Sequence, residues 1–361
     1  MEKCEAKIMK ISEIILEWYK KNKRLLPWRE TRDPYKIWLS EIILQQTRVN
    51  QGMEYYHRFV ARFPDVHQLA VAEEQEVIKL WQGLGYYSRA RNLLAAARQV
   101  ENEFGGKFPS RYSDLLKLKG VGPYTAAAVA SIAYKAPVAV VDGNVSRVLA
   151  RLYAVQDAVN IPAGGKQIEA LAVELLHRGN PGDHNQAMME FGALQCVPVA
   201  PDCLACPVQQ FCKAFSNDLV AALPVKQKKA KIRNRYFTYL IIREGVHTYI
   251  SRRTGNDIWR EMYEFPLIEH DSAPDETEIL HAASLLTGLE GSRLTISRLS
   301  DPVRHQLTHR RIIARFLHLE TRGNLLQAPG HWKRVRFSEV GDHPLPRLID
   351  RYLELNGESP D

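Results

Sequence analysis

Residues 118–147 read LKGVGPYTAAAVASIAYKAPVAVVDGNVSR, and this stretch decides the fold. Gly120 and Gly122 form a tight turn, and Pro123 suits the first position of a helix because its φ is fixed and it has no N–H to satisfy. The small apolar run that follows can lie against other helices, and Asp142 comes directly after a second apolar run. The stretch predicts a helical hairpin whose turn binds a phosphate and leads to an acid at a reaction site.

The composition is that of an ordinary globular protein. Its 361 residues suffice for two domains with separate cores, and 45% are hydrophobic while 25% are charged. The sequence offers no signal peptide and no uninterrupted run of about 18 apolar residues, which predicts a cytoplasmic protein, nucleoid-associated in a bacterium, with no membrane partner. The net charge of +8 favours a polyanionic partner, because lysines and arginines that neutralise phosphates release counterions.

The first part of the chain predicts helices only. Apolar residues recur at helical spacing over residues 8–22, and a second helix is predicted to begin at Pro34 with Asp33 as its N-cap. Helical patterns continue, and residues 163–194 add two more helices. This part is therefore predicted to be all-α.

One acid of the second helix, Glu41, lies in a strongly apolar setting. Its neighbours include Trp38 and Ile42, so a carboxylate there needs a reason. Two interpretations stay open from the residues alone: an exposed glutamate on an amphipathic face, or a catalytic acid.

A glycine-rich segment with aromatic and basic residues lies at residues 80–93, LWQGLGYYSRARNL. Gly83 and Gly85 loosen the backbone before two tyrosines, and Arg89 and Arg91 follow. The tyrosine rings could stack on nucleic-acid bases, while the neighbouring glycines and arginines could contact the phosphate backbone. A turn between helices with core tyrosines is the alternative.

Four cysteines follow the spacing C-x6-C-x2-C-x5-C, namely Cys196, Cys203, Cys206 and Cys212. Zinc sites usually come as two close pairs with a longer gap, whereas four thiolates in one compact loop can hold an iron–sulfur cluster. Disulfides are the alternative, but nothing else in the sequence indicates an oxidising compartment. We expect one 4Fe-4S cluster and no nucleotide cofactor.

The periodicity changes after a basic linker. Six of the ten residues 226–235 are Lys or Arg, which suits a phosphate backbone or, equally, a solvated charge run. Alternating residues around Glu244 and Gly245 predict a β-hairpin, and a separate α+β domain follows. Its other predicted elements are strands at residues 293–298, 311–319 and 332–337 and helices at 276–287 and 346–355. The predicted divisions are a helical domain (1–218), a linker (219–235) and a C-terminal domain (236–361).

The segment VRHQLTHRR, residues 303–311, is predicted to be a polar loop between strands of this second domain. His305, Thr308 and His309 supply hydroxyl and imidazole groups that could read a base edge. A plain strand connection is the alternative.

Together these motifs resemble the helix–hairpin–helix, or endonuclease III, superfamily of DNA glycosylases, and more narrowly its MutY-type adenine DNA glycosylases. The resemblance covers residues 20–215 through LSEIILQQT, GLGYYSRARNL, LKGVGPYTA, VDGNV and the four cysteines, in the family's order. It implies a mostly α N-terminal helix–hairpin–helix glycosylase fold with an iron–sulfur cluster loop, plus a C-terminal α+β Nudix-like domain that recognises the lesion. It also implies a monomer that excises adenine paired with 8-oxoguanine, or with guanine, from double-stranded DNA.

Tyr124 distinguishes this chain from endonuclease III-like enzymes. At its position those enzymes carry a lysine that attacks the sugar and then cleaves the strand, so GVGPYTA argues for base removal without strand cleavage. The alternatives are a lyase acting on oxidised pyrimidines and a non-enzymatic iron–sulfur DNA-binding protein. The missing lysine disfavours the first, and the acids Glu41 and Asp142 disfavour the second.

By resemblance, two carboxyl groups perform the chemistry. Glu41 would protonate adenine N7, for which its pKa must be raised, while Asp142 would stay ionised and stabilise the positive sugar. Asn144 and Tyr124 match residues that hold Asp142 and the sugar in place. The residues implied to contact DNA are Arg24, Trp28, Arg29, Gln46, Thr47, Tyr86, Gly120, Gly122 and Gln186, with Gln46 and Tyr86 as wedges beside the lesion.

The C-terminal domain departs from its relatives in its motifs. The lesion-reading loop usually has Phe-Ser-His, and this chain has Leu307, Thr308 and His309. Thr308 keeps the hydroxyl that would bond the lesion, whereas Leu307 changes the packing around it. The domain also lacks the glutamate-rich Nudix box, which the pair Arg260 and Glu261 does not replace, so we expect no nucleotide hydrolysis.

Overall fold

A computed structural model describes residues 2–227, 233–287, 294–307, 309–321 and 329–357. The chain forms two compact units. The first contains Met1–Ala72 and Asn92–Lys228, and the second contains Glu73–Arg91 and Lys229–Asp361. Within the described ranges, no helix combines the length and the apolar character needed to cross a membrane.

The part of the chain before the first strand is helical, as predicted. Its helices are α1 (Glu2–Asn22), α2 (Pro34–Leu44), α3 (Val49–Arg62), α4 (Val66–Ala70), α5 (Glu74–Leu80), α6 (Ser88–Phe104), α7 (Tyr112–Leu115), α8 (Pro123–Tyr134), α9 (Gly143–Tyr153), α10 (Pro162–Leu175), α11 (Pro181–Leu194) and α12 (Lys213–Ser216). Short 3-10 turns lie at Pro27–Arg29 and Gln209–Phe211.

Local signals set the starts of two central helices. The Asp33 carboxylate caps α2 by accepting a first-turn amide at 2.9 Å, and Pro34 takes the first helical position, as predicted. Gly122 precedes α8 in an extended conformation, and Pro123 begins that helix. α1 extends to Glu2, earlier than the predicted start, because its first turns carry too few apolar residues to show helical periodicity.

The core of the first unit forms around α8 and α9. Ala126 and Ala130 of α8 are fully buried, and their small side chains let α2 and α11 pack closely against this helix. α11 also packs on α9, and Gly192 permits this because a Cβ there would lie 2.7 Å from the Asn144 Cβ. The packing holds the first turn of α9, which Asp142 caps.

The second unit is an α+β fold, as predicted. Its strands are β1 (Arg233–Arg243), β2 (His247–Arg252), β3 (Tyr263–Glu264), β4 (Leu267–His270), β5 (Leu294–Leu299), β6 (Val303–Gln306), β7 (Arg310–Thr321) and β8 (Trp332–Arg336), and its later helices are α13 (Glu276–Thr287) and α14 (Arg347–Leu355). One sheet has the order β4-β1-β7-β5 with β6 also paired to β7, and the other has the order β3-β2-β8. α13 buries Ile279 against Leu240 and Leu317, while α14 stacks Tyr352 on Phe316 with ring centroids 3.6 Å apart.

The predicted hairpin around Glu244 and Gly245 is wrong in its pairing. The chain does turn there, and Glu244 bridges His247. β1 and β2 nevertheless join different sheets, because β1 pairs in parallel with β7 along its whole length. Local alternation cannot reveal a strand partner so distant in sequence.

Two further boundaries differ from the prediction. Most of the segment predicted as a loop belongs to two paired strands, since β6 and the start of β7 pair from Val303 opposite Ala314 to Gln306 opposite Arg311. β1 begins at Arg233, inside the predicted linker, and residues 228–232 of that linker lie outside the described residues.

Candidate active site

A cavity of about 190 Å³ in the first unit brings most of the predicted catalytic and DNA-contacting residues together. It is lined by residues of α2, α8 and α11, by the start of α9 and by the segment before α2. The predicted residues that line it are Arg24, Trp28, Arg29, Glu41, Thr47, Tyr124, Asp142, Asn144 and Gln186. Met189 and Glu190 also line it, although the sequence did not single them out.

Glu41 is buried in this cavity, with 7% of its surface exposed. The interpretation of an exposed glutamate is therefore wrong. The Tyr124 hydroxyl donates a hydrogen bond of 2.5 Å to Glu41 Oε2. Burial raises the pKa of Glu41 to about 7, the Tyr124 hydrogen bond lowers it, and the negative charge of Asp142 raises it. The carboxyl group is thus poised to exchange a proton near neutral pH.

Asp142 caps α9 and is held on both oxygens. Its Oδ1 accepts from the Val145 amide at 2.7 Å, and its Oδ2 accepts from Asn144 Nδ2 at 2.9 Å. Burial raises its pKa above the ordinary value, while these hydrogen bonds and the Arg147 charge act in the opposite direction. Asn144 holds Asp142 as predicted, whereas the Tyr124 hydroxyl contacts Glu41 instead of Asp142.

Glu190 anchors two of the predicted DNA-contacting arginines. Its carboxylate accepts from Arg24 Nη2 at 2.5 Å and from Arg29 Nη1 and Nη2 at 2.8 Å each. Burial alone would raise the pKa of Glu190, but the hydrogen bonds from Arg29 and Arg24 lower it to about 2. The sequence analysis missed Glu190. The residue nevertheless has the feature that identified Glu41, because it is a carboxylate in an apolar helical stretch.

Arg147 connects the Asp142 turn to the cysteine loop. Its Nη2 donates to Asn144 Oδ1 at 2.9 Å and to the Gly192 carbonyl at 2.6 Å, and its Nε donates to the Cys196 carbonyl at 2.8 Å. One turn later on the same buried face, Arg151 Nη1 lies 3.4 Å from Cys196 Sγ. Sequence reasoning missed both arginines, although basic residues four apart on a buried helix face indicate buried acceptors.

All four predicted cluster cysteines line one small cavity of about 30 Å³. None of them forms a disulfide, contrary to the alternative interpretation. Burial and, to a smaller extent, the nearby cysteines raise the pKa of the Cys206 thiol to about 11, although a hydrogen bond with the Val208 backbone acts in the opposite direction. Across the described ranges, no group of His, Cys, Asp or Glu side chains is placed to hold a single metal ion. The donor set of four cysteine thiols is the one that iron–sulfur clusters use, and because each thiolate binds a different iron atom of a 4Fe-4S cluster, the four sulfurs need not converge on one metal ion.

The glycine turn before α8 has the predicted geometry. Gly120 has a φ of 75°, and a Cβ there would lie 2.6 Å from the Asn92 Cβ, so both the backbone and the packing require glycine. The turn leads to the N-terminus of α8, where amide groups and the helix dipole favour an anion.

Both predicted wedge residues have an unusual backbone. Gln46 has a φ of 58° and Tyr86 a φ of 50°, a left-handed conformation that is uncommon outside glycine. Gln46 is exposed in the first unit, and Tyr86 is 49% exposed in the second. Strained backbone conformations of this kind cluster at active sites and ligand contacts, where the surrounding structure holds them.

The predicted lesion-reading residues lie between β6 and β7. The Leu307 amide donates to the Arg310 carbonyl at 2.8 Å, which closes the turn, and His309 is exposed. Thr308 lies outside the described residues.

Comparisons with known families cover both units. Residues 39–177 match the HhH-GPD superfamily of base excision DNA repair proteins, and residues 238–355 match the NUDIX domain. The fold and these two matches therefore define a helix–hairpin–helix base excision repair protein with a C-terminal NUDIX domain.

Individual relatives narrow the class. The chain is 36% identical over 256 residues to an adenine DNA glycosylase of Buchnera aphidicola subsp. Schizaphis graminum, spanning 71% of this chain and 74% of that one. The adenine DNA glycosylase of Buchnera aphidicola subsp. Baizongia pistaciae is 32% identical over 306 residues, 82% of each chain. The solved structure of a thermostable thymine-DNA glycosylase, 31% identical, covers 59% of this chain and 98% of its own with a TM-score of 0.55. The chain belongs to the adenine DNA glycosylases, the enzymes of base excision repair that remove adenine.

Proposed function

We propose that this glycosylase removes adenine paired with 8-oxoguanine, and with guanine, from double-stranded DNA. The observation that carries the proposal is a pair of carboxyl groups in one cavity, the buried Glu41 and the half-buried Asp142, with unlike partners. Glu41 accepts from a phenol, whereas Asp142 accepts two hydrogen bonds at a helix N-terminus. When two carboxyl groups have different environments, their pKa values differ, so that one can stay protonated and donate a proton while the other stays ionised.

The reaction begins with adenine extruded from the duplex into the cavity, at a cost of about a few kcal/mol in lost stacking and pairing. Protonated Glu41 gives its proton to adenine N7, so that the base leaves as a neutral molecule when the bond from N9 to C1′ breaks. The sugar becomes an oxocarbenium ion, and ionised Asp142 stabilises that positive charge. Water then adds to C1′ and loses a proton, which leaves an abasic site.

Tyr124 adjusts the acid. Its hydrogen bond favours the ionised form of Glu41, and so it opposes the rise in pKa caused by burial. The pKa of Glu41 therefore stays near 7 instead of rising further, which keeps the carboxyl group able to both give and regain a proton near neutral pH.

Base selection uses the polar side of the cavity. Gln186 is buried, and the Tyr19 hydroxyl donates to its Oε1 at 3.2 Å, so the amide is held in place. A fixed amide can accept from adenine N6 and donate to a ring nitrogen. Arg24 and Arg29, held by ionised Glu190, define the same wall.

The DNA contacts come from the glycine turn and the wedges. The N-terminus of α8 after Gly120 and Gly122 suits a backbone phosphate. Gln46 and Tyr86, each held in a left-handed conformation and exposed or half-exposed, would fill the gap left by the extruded base. The lesion-reading contact is assigned to residues 307–309.

The cofactor of the proposal is one 4Fe-4S cluster bound by Cys196, Cys203, Cys206 and Cys212. Four unbridged thiols around one cavity support it. Buried thiolates are costly alone, and a bound metal group stabilises them and the loop that carries them. Arg147 and Arg151 would bring positive charge to the loop, since both bond its carbonyls.

Purified protein is expected to be brown and to contain about four iron atoms per chain. Cys206→Ser is expected to lose most of the iron and to lower the melting temperature, because one sulfur ligand is missing. Cys4→Ser makes the same change at the fifth cysteine, outside the cluster spacing, and should keep the iron. The measurement is the iron and zinc content of each purified protein. A colourless protein that contains zinc and no iron would refute the proposed 4Fe-4S cluster.

The proposal includes base removal without strand cleavage. Tyr124 occupies the hairpin position where a lyase would carry lysine, and the described residues that line the cavity include no lysine. No amine in the cavity is therefore placed to form a Schiff base with the sugar.

Single-turnover assays on defined base pairs test the substrate and the reaction type together. Adenine is expected to be released fastest opposite 8-oxoguanine, more slowly opposite guanine and slowest opposite cytosine, with strand breaks only after alkali. Borohydride should trap little protein on DNA, because no Schiff base forms. Strand breaks without alkali, or release of oxidised pyrimidines in place of adenine, would contradict the proposal.

A further inference from the structure

A continuous series of contacts in the second unit runs from the turn between β6 and β7 to the loop that carries Tyr86. We name residues 307–309 the lesion loop and residues 82–87 the wedge loop. The inference below rests on the proposed function, which assigns lesion contact to the first loop and insertion into DNA to the second.

The wedge loop is bonded to residues that flank it on both sides. Trp81 Nε1 donates to the Gly85 carbonyl at 3.0 Å, and Arg89 Nη2 donates to the same carbonyl at 3.1 Å. The Arg89 guanidinium also lies over the rings of Trp81 and Tyr86, at 5.0 and 5.6 Å. A displacement of the flanking helices therefore shifts Tyr86.

Both flanks of the wedge loop are bonded to the C-terminal part of the same unit. On one side, Gln75 Nε2 donates to the Glu261 carbonyl at 3.2 Å. On the other side, Arg91 Nη1 donates to the Arg260 carbonyl at 2.8 Å. Lys79 Nζ adds a hydrogen bond to the carbonyl of Gly341.

The carbonyls that receive two of these bonds belong to a strained segment, residues 257–262. Trp259 has a φ of 58° and Glu261 a φ of 71°, so two residues of this segment have a left-handed backbone conformation, which is uncommon outside glycine. Such conformations persist only where neighbouring contacts hold them. The bonds from Gln75 and Arg91 are among those contacts.

The same segment contacts one residue on each side of the lesion loop. The Trp259 indole packs edge-on against the His305 ring of β6, with centroids 5.8 Å apart. Asp257 Oδ1 accepts from Arg310 Nη1 of β7 at 2.9 Å. His305 precedes the lesion loop and Arg310 follows it, so residues 257–262 are connected to this loop through its two flanking residues.

We propose that residues 257–262 couple the lesion loop to the wedge loop, so that Gln75 and Arg91 are positioning residues that make insertion of Tyr86 depend on the base being read. A segment held between two loops by directional bonds transmits a displacement of either one. Coupling of this kind changes the relative rate on two substrates and leaves the chemistry at the cavity as it was.

The test variant is Gln75→Met, which keeps the length and charge of the side chain and removes the donor to Glu261. Because no charge changes, phosphate binding and its salt dependence stay as in the wild type. The ratio of single-turnover rates opposite 8-oxoguanine and guanine is expected to fall by about fivefold or more, the size of modest allosteric coupling. Gln68→Met, the same change at an exposed glutamine of α4, should leave the ratio unaltered.

A double-mutant cycle with Tyr86→Leu shows whether the effect passes through the wedge. In the Tyr86→Leu background, Gln75→Met is expected to change the ratio by less than about twofold. If the two effects multiply, the residues act independently and the coupling is refuted.

The outcomes separate this inference from the proposed function. A wild-type enzyme with no preference for 8-oxoguanine refutes the proposed function, whereas an intact preference in Gln75→Met refutes only the coupling. If Gln75→Met does not fold, Arg91→Gln replaces it, because it removes the donor to the Arg260 carbonyl. This variant also removes a positive charge, but a loss of phosphate attraction lowers the rates opposite 8-oxoguanine and guanine alike. Loss of the coupling lowers the ratio of the two rates. An unchanged ratio in Arg91→Gln then overturns the inference.

Discussion

Asp142→Asn is expected to lower the single-turnover rate of adenine excision by about a hundredfold to ten-thousandfold. Asparagine is as good an N-cap as aspartate, so α9 keeps its start and the volume of the cavity hardly changes. The substitution removes the negative charge that stabilises the oxocarbenium ion. The measurement is excision from an A:8-oxoguanine duplex with enzyme in excess.

The matched control for this variant is Asp33→Asn. Asp33 caps α2 as Asp142 caps α9, but it does not line the cavity. The control loses a charge at a helix cap and should keep a rate near that of the wild type. Wild-type excision by Asp142→Asn would place the stabilising anion elsewhere and refute the mechanism.

The residues alone predict the frame of this site well. The turn at Gly120, the helix start at Pro123 and the cap at Asp33 are local features, because backbone conformation and the first hydrogen bonds depend on adjacent residues. Asp142 was visible for the same reason, as an acid placed directly after an apolar run. For Glu41 the sequence left two interpretations open, and its burial excludes the exposed glutamate on an amphipathic face.

The remaining features depend on contacts between residues far apart in sequence. Glu190 shares its signal with Glu41, but only the folded chain brings it to Arg24 and Arg29. The parallel pairing of β1 with β7, and the inclusion of residues 73–91 in the second unit, follow from long-range packing. Periodicity describes one element at a time and cannot choose its partner.

The pH dependence of excision is expected to follow Glu41 on its alkaline side. Glu41 can donate a proton only while it is protonated, so the excision rate falls as pH rises through about 7. On the acidic side, the rate falls as Asp142 gains a proton, at a pH above the ordinary range for aspartate because burial raises its pKa. The profile of rate against pH is therefore expected to be bell-shaped.

Tyr124→Phe gives this assignment a signed test. The variant removes the hydrogen bond that lowers the pKa of Glu41, so the alkaline limb is expected to move to higher pH even if the maximum rate falls. If the alkaline limb of the profile stays in place or moves to lower pH, a group other than Glu41 causes it.

Glu41→Gln is expected to lower the maximum excision rate by about a hundredfold or more and to remove the alkaline limb, because glutamine cannot donate the proton. The folded protein keeps a proton on Glu41 that the unfolded chain has released between pH 4.5 and about 7, so Glu41 makes the unfolding free energy fall as pH rises through this window. The variant loses that dependence, and at alkaline pH its melting temperature should be no lower than that of the wild type. A slow but stable Glu41→Gln enzyme therefore separates loss of the acid from loss of the fold. A variant that excises adenine near the wild-type rate would move the acid to another residue.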